Sequence, residues 1–102
     1  MEKYQFLYQL KLIPTLLHEQ NWTEKENEIV QHHFEVLQKL QQEGKLLLAG
    51  RTLNMDRTGF GIVILEVDSE EEAITLMKND PAVSEGIMEA TLFPYRVALI
   101  KE

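Results

Sequence analysis

Two helix-start signatures stand between stretches of period two, and this order constrains the fold more than any other feature of the chain. Thr23 with Glu26, and Ser69 with Glu72, each match a capping box. In that device a hydroxyl caps the first turn and a carboxylate three residues on returns the bond. Beyond Thr23, the side chains of Ile29, Val30, His33, Val36, Leu37 and Leu40 fall on one side at about 100° per residue. The pattern predicts a helix from about Glu24 to Glu43, stopped by Gly44 in the left-handed conformation. Beyond Ser69, a second helix should run to about Lys78, burying Ala73, Ile74 and Met77. Asp80 and Pro81 break it, and Pro81 to Glu85 are expected to form one further turn.

The extended segments complete the pattern. Tyr4, Phe6, Tyr8, Leu10 and Leu12 alternate with more polar neighbours, which reads as a strand with one buried face. Pro14 ends it, because proline lacks a ladder donor. Residues Thr15 to Trp22 carry no clean period and read as a loop or short turn. Leu46 to Leu53 and Phe60 to Val67 are strands, joined by a polar hairpin loop from Asn54 to Gly59 into an antiparallel pair. Ile87 to Leu99 is extended, with Pro94 demanding an edge, bend or bulge. Strand, helix, strand, strand, helix, strand is the βαββαβ ferredoxin-like plan of the α+β class. It places two helices on one face of a four-stranded antiparallel sheet, within a single domain over residues 1–102.

The other face of that sheet needs a cover. Leu46 and Leu48 are expected on one face, Leu47 and Ala49 on the other. Phe60, Ile62 and Ile64 oppose Val63, Leu65 and Val67 in the same way. With both faces apolar, the open one is expected to be buried in a homodimer.

Composition excludes several classes. Ten Lys and Arg against seventeen Asp and Glu give a net charge of −7, with no basic stripe to displace phosphate counterions. Nucleic-acid binding is therefore not expected. The chain has no cysteine, which excludes thiolate catalysis and Cys-based metal sites. Its apolar runs fall far short of the ~20 residues of a membrane helix, and its start lacks the pattern of a signal peptide. The expectation is a cytoplasmic protein with no membrane partner. His32 and His33 diverge on a helix, His18 lies in an irregular stretch, and no metal-ligand spacing occurs, so no metal site is expected. No phosphate-cradling glycine motif appears, and no cofactor is expected.

Two residues carry chemical interest. His33 lies near the middle of the apolar stripe, where it must find a hydrogen-bond partner or sit as a buried neutral ring. Asp80 follows the second helix on the side of Ala73 and Met77. A carboxylate at the negative end of a helix needs compensation, which capping a new turn before Pro81 supplies. Both roles are compatible, with one oxygen capping and the other orienting a histidine. The aromatic set Tyr4, Phe6 and Tyr8 reads as a sheet face. Tyr95 and Arg96 are candidates for lining a pocket.

The segment from His33 to Gly50, with its helical histidine, Gly44 and a strand running to a glycine, resembles the YciI family (YCII-related domain). Phe60 to Val67, Ser69 to Ala73, Asn79-Asp80-Pro81 and the final strand with Phe93 resemble its second half. The resemblance implies a dimeric α+β barrel and a His–Asp pair as active site, carried onto His33 and Asp80. Two positions depart from the family pattern: Ala82 stands where an aromatic is common, and Arg51 where proline is common. Both are expected to line the cleft, and Arg51 is accordingly a candidate substrate-binding residue. The family is similar to muconolactone isomerases and small quinol monooxygenases of the same architecture, and some relatives look like dehydrochlorinases.

The reading is a cofactor-free lyase or isomerase in which Asp80 orients His33 and His33 moves a proton on a small cyclic or aromatic substrate. The alternative is a ligand-binding or interaction dimer without turnover. A cofactor-free oxygenase rests on fold analogy alone.

Overall fold

The structure is a computed structural model and describes residues 3–101. Strand β1 spans Tyr4–Leu12 and leads through two 3-10 turns, Pro14–Leu17 and Glu19–Asn21, into helix α1, Glu24–Gln42. Strands β2, Leu46–Arg51, and β3, Gly61–Val67, follow. Helix α2, Glu70–Asn79, a single turn α3, Pro81–Ser84, and strand β4, Met88–Tyr95, complete the chain. The four strands form one antiparallel sheet in the order β2-β3-β1-β4. This is the ferredoxin-like fold expected from the element order.

Local chemistry sets the boundaries. The Thr23 N–H donates to the Glu26 carboxylate at 2.8 Å, and the Thr23 hydroxyl accepts from the Lys25 N–H. Gly44 has φ +78, a conformation that side chains with a Cβ rarely adopt. At α2 the box is offset. The Ser69 hydroxyl accepts from the Glu72 N–H, but the Glu72 carboxylate returns to the Asp68 N–H instead of Ser69. Pro94 lies within β4, opposite Phe6, and β4 is a sheet edge, as a proline requires.

The core lies between the sheet and the helices. Phe6, Tyr8 and Leu10 of β1 meet Val63, Leu65 and Val67 of β3 on one face, with Leu37 and Leu40 of α1 and Ala73 of α2 packed against them. Leu16, Ile29, Ala82 and Ile87 form a smaller cluster under the 3-10 turns, where Trp22 donates its ring N–H to the Leu16 carbonyl at 2.8 Å.

One expectation about the sheet faces is overturned. The pairing of β2 with β3 shifts between Leu46 and Leu48, so that Leu46 stands opposite Leu65 and Leu48 opposite Ile64. A bulge adds one residue, and every side chain beyond it changes face. Leu46 and Ala49 therefore share the helix side, and Leu48 joins Ile62 and Ile64 on the open side. Leu7, Phe93 and Tyr95 stand on that open side too. Leu48, Phe93 and Tyr95 keep 44%, 45% and 43% of their surface exposed. Among the described residues, no helix is long and apolar enough to cross a membrane.

Candidate functional site

The site is built at the corner between α2 and α3. Asp80 ends α2 and caps α3, with Pro81 in the first helical position where its missing N–H costs nothing. Its Oδ1 accepts from the Ala82 N–H at 2.9 Å, and its carbonyl takes the Val83 and Ser84 N–H groups. These bonds fix the carboxylate in a place where only 1% of its surface reaches solvent. A buried carboxylate needs several donors to stay charged.

Two side chains supply the remaining donors. Tyr8, fully buried on the helix side of β1, donates its hydroxyl to Oδ2 at 2.7 Å. His33, in the middle of α1, brings Nδ1 to within 2.6 Å of Oδ1. The sequence predicts that one oxygen caps and the other orients the imidazole. Instead Oδ1 does both, and Oδ2 belongs to Tyr8. Burial pushes the Tyr8 hydroxyl well above the usual tyrosine range, and the Asp80 charge adds to it. Tyr8 thus stays protonated as a permanent donor.

Against an ionised carboxylate, which only accepts, Nδ1 would carry the proton and a neutral His33 would hold its lone pair on Nε2. The His33 side chain keeps 13% of its surface exposed, and it forms part of the wall of a cavity of about 510 Å³. That volume is within the range of small-molecule sites. The cavity lies between α1, strands β2 and β3, and the loop joining those strands. Its wall is largely apolar, including Phe34, Leu37, Leu46 and Val63, with the amides of Gln38 and Gln41 as polar points.

The candidate residues separate. His33 and Asp80 are in direct contact. Arg51, at the end of β2, stands on the cavity wall. Tyr95 does not: it pairs with Gln5 on the edge strand and projects from the open face, away from the cavity. The alternation of β4 assigns it there, with Phe93. Tyr8 was read as a sheet-face aromatic and its part in the site was missed. The available signal was its hydroxyl, since a tyrosine in an apolar stripe needs a polar partner inside the core. Among the described residues, no group of three His, Asp or Glu side chains is arranged to hold a metal ion.

The family model described as YCII-related domain matches residues 11–94. The uncharacterised protein YjpA of Bacillus subtilis is 40% identical over 76 residues, which cover 74% of this chain and 86% of YjpA. Among solved structures, the 5-chloro-2-hydroxyhydroquinone dehydrochlorinase TftG of Burkholderia phenoliruptrix, in complex with 2,5-dihydroxybenzoquinone, is similar with a TM-score of 0.68 at 23% identity. The match covers 90% of this chain and 93% of TftG. The uncharacterised protein TM1266 of Thermotoga maritima gives a TM-score of 0.56 at 10% identity, over 93% of this chain and 100% of its own. At these identities the two structures share the fold.

Proposed function

The chain belongs to the YCII-related domain family, and from that premise we propose that it is a small proton-transfer enzyme with His33 as its base. The observation that supports this reading is the buried Asp80 carboxylate, held by Tyr8 and Ala82 and bonded to His33 Nδ1 at 2.6 Å. Such a carboxylate fixes the ring and its tautomer, leaving Nε2 for a ligand in the cavity. Asp80 and Tyr8 are positioning residues, and His33 is the group that meets the substrate.

The chemistry is elimination or isomerisation on a small cyclic or aromatic molecule. In an elimination, Nε2 takes a proton from the substrate, the electron pair forms the new double bond, and the leaving group departs with its own pair. In an isomerisation, the same nitrogen returns the proton to a different carbon. A base of this kind contributes about 10² to 10⁴ in rate, and the cavity must supply the rest by orientation. The dehydrochlorinase of the same fold makes loss of hydrogen chloride the first reaction to try.

The functional unit is a homodimer closed through the open face of the sheet. Leu48, Phe93 and Tyr95 present apolar surface there beside Leu7, Ile62 and Ile64, with Gln5, Gln9 and Glu66 around them. A second copy supplies a self-complementary cover for such a patch.

The test is chloride release from 5-chloro-2-hydroxyhydroquinone and a panel of related halogenated and unsaturated rings, with wild type and His33→Ala compared. Far-UV circular dichroism checks that the variant folds. Turnover that falls at least 100-fold in His33→Ala supports the reading. Turnover that survives the substitution refutes it. Saturable binding without turnover, unchanged in His33→Ala, identifies a ligand-binding dimer instead.

A further inference from the structure

The cavity has a second chemical end. Arg51 on β2 stands opposite Gly61 on β3, and Gly61 stands opposite Leu10 on β1. All three belong to the helix side of the sheet, and all three line the cavity. Gly61 leaves a gap in the middle of this row. A Cβ built on it would lie 3.8 Å from the Cβ atoms of both Arg51 and Leu10, and 3.4 Å from the Gly50 carbonyl. These are ordinary contacts, and Gly61 does not have a positive φ. The backbone therefore tolerates a side chain here, and its absence opens the cavity floor. The next residue on this side of β1 is Tyr8, whose hydroxyl holds Asp80 and, through it, His33.

Arg51 has an unmatched charge. Among the described residues it forms no ion pair, and its guanidinium makes one long bond, 3.4 Å to the Thr52 carbonyl. Asp56, on the same wall, is already engaged by the Thr58 N–H and hydroxyl and by the Asn54 amide. Those bonds hold its carboxyl below the usual range, the Thr58 hydroxyl first among them. Arg51 is exposed, and it is the one Lys or Arg among the residues that line this largely apolar cavity. A guanidinium so placed matches a carboxylate in both charge and planar shape.

We infer that the cavity takes a small cyclic carboxylate, with its acid group on Arg51, its ring over Gly61 and its reacting carbon toward His33. The inference rests on reading the cavity as the ligand site and adds the class of substrate. Ring face and charge are recognised separately: Gly61 admits the ring, and Arg51 selects the anion. A bulkier residue at position 61 closes the floor to both charged and neutral rings. Loss of the guanidinium affects only the charged ones.

The test uses two probes of the same shape, benzoate and benzamide, titrated calorimetrically into the intact chain at neutral pH and low salt. Wild type is expected to bind benzoate about tenfold more tightly than benzamide. Arg51→Gln should remove that preference while leaving benzamide binding in place. Gly61→Val should weaken both probes about tenfold or more, with Gly61→Ala intermediate and thermal unfolding as the check on folding. His33→Ala should keep the preference. Loss of turnover in that variant and loss of anion preference in Arg51→Gln thus report separately on the reaction and on the substrate class. Equal binding of the two probes by wild type overturns the inference, as does a preference that survives Arg51→Gln. Failure of both probes to bind at millimolar concentration also overturns it.

Discussion

Tyr8→Phe isolates the donor that steadies Asp80. The substitution removes one oxygen and leaves the ring in place among Leu10, Val63 and Leu65. The lost bond is a 2.7 Å contact to a carboxylate with 1% of its surface exposed. Bonds to charged groups contribute about 1.5 to 3 kcal/mol, and a buried oxygen left without its donor carries the desolvation cost. Asp80 keeps two donors, from Ala82 and His33, so the expected loss is about 2 kcal/mol at pH 7. For a domain of this size that corresponds to a fall in Tm of about 10 °C.

The same substitution has a signature in pH. In the fold, burial and the Asp80 charge keep the Tyr8 proton on, while the unfolded chain releases it above about pH 10. The unfolded state then holds fewer protons than the native one, so stability falls as pH rises. One proton corresponds to a slope of about 1.4 kcal/mol per pH unit. Phenylalanine has no such proton, so the variant lacks this slope. The gap of about 2 kcal/mol should therefore close within about 1.5 units above pH 10. Urea titrations of both proteins between pH 7 and 11.5, at one protomer concentration, measure this directly. A gap below about 0.5 kcal/mol at pH 7, or one that stays constant to pH 11.5, refutes the account of Tyr8 as the buried donor.

Other outcomes follow from other parts of the fold. Thr23→Ala should cost about 1 kcal/mol through the lost N-cap, read from the urea midpoint with an unchanged slope. On the acid side, the bonds from Lys45 and from the Asp68 N–H hold Glu72 below the usual range. Its contribution is present above the unfolded value and lost as pH falls through the folded one, so Glu72→Gln should flatten the loss of stability below about pH 4.5. Leu48→Glu puts a charge on the open face and should convert the proposed dimer to a monomer in light scattering without changing the circular dichroism. A dimer that persists refutes the assignment of that face.

The parts of this molecule written in short-range chemistry were legible in the sequence. Thr23, Gly44 and the Asp80-Pro81 step each act on backbone groups within a few residues, and each marks the boundary it was read as marking. The helical stripe also placed His33 facing inward. What escaped depends on register. The shift between Leu46 and Leu48 changes which leucine faces the core, and four apolar residues in a row do not say where a bulge falls. The position of Tyr95 follows from the pairing of β4, which no local pattern encodes. Tyr8 and Asp80 are 72 positions apart. Period two gave the direction of the tyrosine but not the acid waiting at the end of it.

One oxygen atom, Asp80 Oδ1, starts a helix and holds the imidazole. If the proposed proton transfer is this protein's chemistry, selection for folding and selection for catalysis act on the same atom and cannot be answered by different mutations. Glutamate moves the carboxylate by a methylene, asparagine removes its charge, and serine or threonine preserves the cap while losing one acceptor. A lineage that abandons the chemistry still has reason to keep the aspartate. Its persistence among descendants is thus a poor guide to whether they remain active, and the residue at position 33 is the better one.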